Sequence, residues 1–528
     1  MATNAEIKIS RIASVNPATG EVLGEVDSAG PAEVRAAVMR ARTAQPAWEA
    51  LGILARLKVM RRFQQLLLSR KSDIARLITA EAGKPFVEAL LTEVLVVLDA
   101  ARFLIENGYA ILRDQKLPHG NLVMKSKAGS IHRTAYGVIG IISPWNYPFS
   151  IPATETLSAL VAGNAVLLKP SELTPLVAIE LQNLLRTSGV PEDVFQVLPG
   201  DGATGAELVS GEIDKLVFTG SVATGRRIAE TAGQRLLPIV LELGGKDAML
   251  VLEDAEVDVA SSGAVWGAFM NAGQTCLSVE RCYVHHSIYS AFVDACCEKA
   301  KKLWVGNGMD AATEIGPMIV GTMINDRQVR VVEAQLKDAV QRGARILTGG
   351  SRLPELGSTF FAPTVLVDVD HTMRIMQEET FGPVLPIASF RDEAEGIRLA
   401  NDSAFGLAAS VWTKNRSRGE RVARQIKAGT VMVNDAVSCF SISEAPHGGV
   451  KSSGIGRTHG RWGLEEMVRV KYIANDYLPG MKKIWWFGYE SGFAAEMENF
   501  VDFLFSRSIG SRLRAGLRCA GALLRKKL

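Results

Sequence analysis

The sequence predicts an α/β protein built on two parallel-sheet domains, and three observations predict it. After Gly137, short β-branched runs alternate with helix-length segments, the pattern of βαβ units. A second alternating region runs from Arg281 to about Asn434, with Gly/Pro turns near Gly349-Gly350 and Gly382-Pro383. A chain of 528 residues with 47% hydrophobic content exceeds what one core organises, so two or three structural units are expected.

Taken in order, Val15-Asn16-Pro17-Ala18-Thr19-Gly20-Glu21-Val22 reads as two extended pieces around a turn, an N-terminal hairpin. From Ala32 to about Asn107, apolar residues recur at three- and four-residue spacing between Arg, Lys and Glu, which predicts consecutive amphipathic helices. Strands are expected at Val138–Ile142, Ala165–Leu168, Phe195–Leu198, Leu216–Thr219, Ile239–Leu243 and Ala248–Leu252, with a domain junction near Gly244-Gly245. No internal repeat is evident.

Composition excludes several classes. Lys+Arg 59 against Asp+Glu 56 leaves a formal charge of +3, which is no field for a nucleic-acid partner. Six cysteines make neither a disulfide framework nor a C-x-x-C spacing, and the seven histidines have no metal spacing, so no metal is expected. Met1 to Ser10 carries Glu6 and Lys8 and lacks an apolar stretch, unlike a secretory signal; a cytoplasmic location is expected. Leu90 to Ile105 is the nearest approach to a membrane span, but Glu93, Asp99 and Arg102 interrupt it, and it reads as a buried helix.

Chemistry concentrates in a few words. Cys276 follows Asn271-Ala272-Gly273-Gln274-Thr275; such a cysteine is most often an inert buried thiol, but its context argues otherwise. Glu242, in Leu241-Glu242-Leu243-Gly244-Gly245-Lys246, closes an apolar strand and precedes two glycines that permit close approach. Burial there raises a carboxyl pKa towards the range of a general base. A thiolate nucleophile with a carboxylate base permits a two-step acyl mechanism. Asn146, in Ser143-Pro144-Trp145-Asn146-Tyr147-Pro148, follows a strand and could supply an oxyanion donor; a helix cap is the alternative.

Lys169-Pro170-Ser171-Glu172 follows another strand, where Lys169 and Glu172 could bind ribose hydroxyls or merely start a helix. Phe218-Thr219-Gly220-Ser221 with Gly225 would open a helix whose free N–H groups suit a pyrophosphate. It is not a G-x-G-x-x-G fingerprint. A serine hydrolase is disfavoured, since no Gly-x-Ser-x-Gly elbow exists.

Together with Glu379-Thr380-Phe381-Gly382-Pro383 and Gly448-Gly449 before Lys451-Ser452-Ser453-Gly454, these words resemble the aldehyde dehydrogenase superfamily in order and spacing, over about residues 12–475. The resemblance implies a Rossmann-like cofactor domain (1–116 and 136–244), a catalytic α/β domain (245–450) and a β-hairpin oligomerisation arm (117–135 and 465–476). It implies oxidation of an aldehyde to its acid, with Cys276 as nucleophile, Glu242 as general base, and Asn146 beside the Cys276 backbone N–H as oxyanion donor. It implies cofactor contacts from Pro144, Trp145, Lys169, Glu172, Gly202, Phe218, Gly220, Ser221, Gly225, Leu243, Glu379 and Phe381, and a homodimer or homotetramer. NAD+ is expected over NADP+, because Glu172 would repel a 2′-phosphate. A thioester-forming, coenzyme-A-acylating enzyme would usually lack the Glu242 equivalent, and a non-enzymatic descendant would have lost catalytic residues.

Tyr147, Met270, Leu277 and Cys439 are candidate pocket neighbours of Cys276, and none is cationic. An apolar aldehyde, of medium or long chain, is therefore expected, with a semialdehyde as the alternative. His447 stands where many relatives have Phe, and a local hydrogen bond is expected of it. Beyond residue 476 the resemblance ends, and 477–528 form an extension opened by Trp485-Trp486-Phe487. Val501, Phe505, Ile509, Leu513, Leu517 and Leu524 make one helical face, flanked by Arg507, Arg514, Arg518 and Arg525, with no acid after Asp502. Such a basic amphipathic helix either lies on an anionic membrane or folds onto its own or a neighbouring subunit.

Overall fold

A computed structural model describes residues 11–316 and 327–525. Met1 to Ser10, considered above for targeting, lies outside the described residues. Strands β1 (Arg11–Val15) and β2 (Val22–Asp27) pair antiparallel. Their turn closes through Asn16, whose N–H donates to the Glu21 carbonyl at 2.8 Å and whose Oδ1 accepts from Ala18 N–H at 2.9 Å. The amphipathic stretch forms helices Pro31–Ala50, Ile53–Ser69, Lys71–Ala82 and Leu95–Leu112, which bury Trp48, Met60, Phe63 and Leu104. A π-turn at Ala89–Val94 leads into the last of these.

Within that apolar stretch the interrupting charges are all partnered. Glu93 accepts from Lys84 Nζ at 2.6 Å and from the N–H groups of Phe149 (3.1 Å) and Ser150 (2.7 Å), so it caps the buried helix Ser150–Val161. Arg102 pairs with Asp99 at 2.8 Å. Among the described residues no helix is long and apolar enough to cross a membrane.

Strands β3 (Gln115–Leu117) and β4 (Lys127–Ala135) pair antiparallel and belong to a three-stranded sheet, which β18 (Val468–Asp476) joins from the far end of the chain. A six-stranded sheet contains β5 (Val138–Ile142), β6 (Ala165–Lys169), β7 (Phe195–Val197), β8 (Lys215–Thr219) and β9 (Ile239–Glu242) in the order β17-β9-β8-β5-β6-β7, with β17 being Gly454–Ile455. All its pairings are parallel except that of β17 with β9. Alternate residues feed two cores: Ile139, Ile141, Val166 and Leu168 face Leu157, Leu160 and Leu181, while Val138, Leu167 and Leu216 face Val34, Ala41 and Leu208. Coverage of both faces is why these strands read as unbroken apolar runs.

The chain leaves this sheet at Glu242 and enters a seven-stranded one at Asp247. Its strands are β10 (Asp247–Val251), β11 (Val279–His285), β12 (Arg345–Thr348), β13 (Thr364–Val367), β14 (Val384–Phe390), β15 (Ala408–Trp412) and β16 (Thr430–Val433), ordered β12-β13-β14-β11-β10-β15-β16. Only β12 runs antiparallel to its neighbour.

The C-terminal extension departs from the single helical face read from its sequence. It forms two helices, Phe493–Phe505 and Ile509–Arg525. Ser506 takes an extended conformation (ψ 136°), and Ser508 restarts the helix by accepting from Ser511 N–H at 3.4 Å. Gly516 lies against the Phe503 ring, and Arg512 Nε donates to the Phe503 carbonyl at 3.0 Å. Val501, Phe505, Ile509, Leu513 and Leu517 all remain exposed, between 55% and 81%. The side chains of Leu524 and Arg525 lie outside the described part.

Candidate active site

Cys276 ends a loop whose backbone is held in an uncommon shape. Asn271 (φ 53°) and Ala272 (φ 55°) are left-handed in a turn spanning Met270–Gly273, at a cost of about 1–3 kcal/mol each. Several bonds hold the turn there. Glu88 accepts from Asn271 N–H (3.0 Å), and Asn271 Nδ2 donates to the carbonyls of Asn146 (3.0 Å) and Gln274 (3.2 Å). A Cβ on Gly273 would lie 2.2 Å from the Gly382 carbonyl oxygen, and one on Gly245 would lie 2.2 Å from that of Cys276. Glycine at these positions lets two loops press against the nucleophile's backbone.

Cys276 stands in the wall between two cavities. The inner one, of ≈ 340 Å³ including its mouth, is lined by Glu155, Thr219, Glu242, Phe440, His447 and His459 among others. Both Glu242 carboxyl oxygens are buried without a hydrogen-bond partner, and His447 Nε2 is 3.8 Å from the nearer one. Burial, then the neighbouring Glu155 carboxyl, hold Glu242 well above the usual carboxylate range, against the pull of Arg457. Burial also pushes His447 down to about 3 and His459 down to about 4, so both imidazoles are neutral. His447 makes no side-chain hydrogen bond to Glu242 at this distance; it packs edge-on to Phe440, with ring centroids 5.0 Å apart.

The outer cavity spans ≈ 440 Å³, mouth included, and is lined by Tyr147, Ile151, Trp266, Met270, Leu277, Val437, Phe440 and small polar residues, with no Lys, Arg or His among the described residues that line it. Of the pocket neighbours expected from sequence, Tyr147, Met270 and Leu277 line it. Cys439 lies behind the lining, with its thiol towards the Val437 carbonyl. Tyr147 Oη is 2.8 Å from Thr275 Oγ1, which fixes its ring beside the thiol. The Cys276 thiol itself is pushed well above its ordinary pKa by burial, and further by Asp247, Glu379, Glu242 and Cys439.

Across the carboxyl ends of β5, β6 and β8 runs a groove of ≈ 1340 Å³, lined by Ser143, Pro144, Trp145, Lys169, Glu172, Gly202, Phe218, Thr219, Gly220, Thr224 and Arg227 among others. It is the position where open parallel sheets bind ligands. Lys169 Nζ lies 3.4 Å from Glu172 at the strand end. Two helices, Gly202–Ser210 and Val222–Arg235, begin at the groove, a setting suited to a phosphate. The donor set therefore fits an elongated, doubly phosphorylated nucleotide.

Not every residue read from sequence lines these spaces. Ser221 caps the helix Val222–Arg235, accepting from Thr224 N–H at 3.3 Å, and Gly225 packs on Leu243, which lines the inner cavity. Asn146 lies behind the cavity wall: its Nδ2 donates to the Gln274 carbonyl at 3.0 Å, and its Oδ1 has no partner. Glu379 is turned inward, accepting from Gly245 N–H at 3.0 Å, and burial raises it to about 8. Phe381 meets Trp145 edge-on at 5.6 Å between ring centroids. Sequence reading missed Glu155, Trp266, Phe440 and His459, and it gave Thr219 no role of its own within the Phe218-Thr219-Gly220-Ser221 turn; of the missed residues Glu155 left a signal, as the one charge in Phe149–Val161.

The profile of the Aldehyde dehydrogenase family matches residues 4–473. The chain belongs to the aldehyde dehydrogenase family. Among similar proteins of this family, a 4,4'-diapolycopene aldehyde oxidase of Methylomonas sp is 38% identical over 517 residues, 98% of this chain and 95% of that one. A succinate-semialdehyde dehydrogenase [NADP(+)] of Escherichia coli (strain K12) is 38% identical over 460 residues, 87% of this chain and 93% of that one. An NAD+ complex of an aldehyde dehydrogenase from Bacillus cereus superposes with TM-score 0.84 at 34% identity, covering 88% of this chain and 93% of the other. An NAD(P)-dependent aldehyde dehydrogenase with a mixed α/β, parallel-sheet fold is thus what the chain encodes.

Proposed function

We propose that this aldehyde dehydrogenase oxidises an apolar aldehyde to its free acid through a thioester on Cys276, with NAD+ as the preferred cofactor. The observation that carries the reading is the position of Cys276 between an apolar cavity and one holding an unpartnered buried carboxyl, Glu242. In this reading the Cys276 thiolate attacks the aldehyde carbon, and its own backbone N–H stabilises the oxyanion, joined by Asn146 once its amide leaves the Gln274 carbonyl. Each such donor contributes about 3–4 kcal/mol in comparable sites. When bound in the groove, an oxidised nicotinamide supplies the hydride acceptor. Glu242 then takes a proton from water, the water oxygen bonds to the acyl carbon, and the carbon–sulfur bond breaks.

The groove supports contacts from Pro144, Trp145, Lys169, Glu172, Gly202, Phe218 and Gly220; Ser221 caps the helix that opens there, Gly225 packs on Leu243, Phe381 meets Trp145, and Glu379 reaches a cofactor once it leaves the Gly245 N–H. The Glu172 carboxylate favours NAD+ by repelling a 2′-phosphate, although Arg227 also faces the groove. A semialdehyde dehydrogenase is the second reading, favoured by the 38% identity to the succinate-semialdehyde enzyme. The absence of a cation among the described residues lining the outer cavity counts against it.

The extension supports work at a lipid surface. Trp486 (52%), Phe487 (96%), Phe505 (73%), Ile509 (77%) and Leu517 (81%) are exposed beside Arg507, Arg514 and Arg518. The 517-residue match to the relative acting on a 4,4'-diapolycopene aldehyde is too long to omit this extension. A homodimer or homotetramer assembled through the three-stranded sheet is part of the reading. Its edge strand β18 exposes Val470 (67%), Tyr472 (48%) and Ile473 (45%), an edge that other proteins cover.

Cys276→Ala should abolish NADH formation from any aldehyde, and Glu242→Gln should keep a stopped-flow burst of NADH followed by slow turnover. Normal turnover by Cys276→Ala would end the thioester reading, and an unchanged steady rate in Glu242→Gln would assign the base elsewhere.

A further inference from the structure

We propose that Glu155 carries protons between Glu242 and the cofactor groove, so that the proton released on acyl hydrolysis leaves through Glu155 and Thr219. The inference rests on the hydrolytic reading above. Glu155 acts through Glu242 and is a positioning residue for its proton.

The sheet register brings the three groups together. Thr219 on β8 stands opposite Glu242 on β9, in a parallel pairing where opposed residues share one face of the sheet. The helix Ser150–Val161 presents Glu155 to that face, and Thr219 Oγ1 donates to Glu155 Oε1 at 3.2 Å. Glu155 and Glu242 line the same inner cavity, which has room for roughly one water. Glu155 Oε2 and both Glu242 oxygens have no hydrogen-bond partner, so three acceptor sites are open towards that space. Thr219 also lines the cofactor groove and is the hydroxyl shared by the two spaces.

The electrostatics agree with the geometry. Burial raises Glu155 to about 8, opposed by the Thr219 bond, and Glu155 in turn raises Glu242. Two such carboxyls in one cavity titrate as a pair, each opposing the ionisation of the other. The other groups facing Glu242 are Arg457, His447, His459 and Cys276. Arg457 does not release its proton. The two histidines are neutral through the working range, and the thiol is occupied by the acyl group during hydrolysis. Glu155 is left as the neighbour able to pass a proton on.

The step balances without a further reagent. Glu242 gains the proton of the attacking water, the water oxygen bonds to the acyl carbon, and the Cys276 sulfur leaves as thiolate. The Thr219 hydroxyl turns its hydrogen from Glu155 towards solvent in the groove, its oxygen accepts the Glu155 proton, and the turned hydrogen passes to that solvent. The proton on Glu242 then crosses to Glu155, and the pair is restored.

Glu155→Gln keeps an acceptor for Thr219 but cannot pass a proton. Full-length Glu155→Gln should keep a normal NADH burst with steady-state kcat about tenfold lower. The acidic limb of its kcat–pH profile should move to lower pH, because Glu242 loses a repelling neighbour. A merely structural role would not move that limb. Thr219→Val should lower kcat with the burst intact, and it decides the matter by the same burst and steady-state rates if Glu155→Gln does not fold. Wild-type kcat and an unmoved limb in Glu155→Gln, or unchanged kcat in Thr219→Val, overturn this proposal alone. Turnover by Cys276→Ala would overturn the thioester reading and this proposal with it.

Discussion

Charge in the outer cavity separates the two substrate readings, and the comparison of butanal with succinic semialdehyde isolates it. The two molecules match in carbon count and differ at the far end, where one has a methyl group and the other a carboxylate. That end lies two methylenes from the reacting carbon, within the cavity walled by Tyr147, Ile151, Trp266, Met270, Leu277 and Phe440. Among the described residues no Lys, Arg or His lines that space, so the carboxylate would lose water and gain no cationic partner there. An uncompensated buried charge costs about 3 kcal/mol or more, roughly a hundredfold in kcat/KM. Each methylene added to an unbranched aldehyde should gain about 0.8 kcal/mol, or about fourfold, until the apolar lining is fully covered. NADH formation measured under kcat/KM conditions across the series reads both effects. Trp266→Arg, which sets a cation at the half-exposed rim, should recover part of the semialdehyde's deficit. Succinic semialdehyde turning over better than butanal in the wild-type enzyme would refute the argument and favour the second reading.

Further expectations concern the cofactor, the support of the site and the extension. Parallel NAD+ and NADP+ titrations should favour NAD+, and Glu172→Gln should narrow the gap by about tenfold, since like charges near 4 Å repel by about 1–4 kcal/mol; an unchanged ratio would assign selectivity elsewhere, with Arg227 the first residue to test. Glu280 accepts from Lys246 Nζ (2.7 Å), Thr380 N–H (2.8 Å) and Phe381 N–H (2.9 Å), and thereby seats the segment carrying Glu379 and Phe381. Glu280→Gln strands a fully buried Lys246 and should cost about 3–5 kcal/mol, read as a lower urea midpoint with a raised cofactor KM; an unmoved midpoint would show the pair to be dispensable. Full-length protein should co-sediment with anionic vesicles, less so at 1 M salt, whereas a chain ending at Asp476 should not; equal sedimentation would remove the lipid-surface reading.

Much of the fold could be read from sequence because both faces of each central strand are covered. Val138–Ile142 and Ala165–Lys169 have no polar alternation to blur them, and their ends coincide with the apolar runs to within a residue. The interrupted stretch near Leu90 was also legible as buried, although the reason was not. Glu93 belongs there because it caps a helix that begins some fifty residues later, a long-range contact that local periodicity does not encode. The C-terminal face failed for a related reason. Helical spacing continues through Ser506-Arg507-Ser508, and only the capping geometry at Ser508 reveals two helices instead of one.

At the site, what was legible depended on whether a residue works within its own segment or across elements. Lys169, Glu172, Phe218 and Gly220 stand where strands end, so strand assignment alone delivers them to the groove. Glu379 and Asn146 reach their positions only through contacts with other loops, and those contacts turn both away from the open spaces: one meets Gly245 N–H, the other the Gln274 carbonyl. Glu155 is the extreme case. Its neighbours Thr219 and Glu242 are brought beside it by the register of β8 on β9 and by a helix packed across that pair, and neither relation leaves a trace in residue spacing. A lone acid in an apolar helix is nevertheless costly unless something compensates its burial. That cost is a legible sign that such a residue faces other polar groups, even where the sequence does not name them.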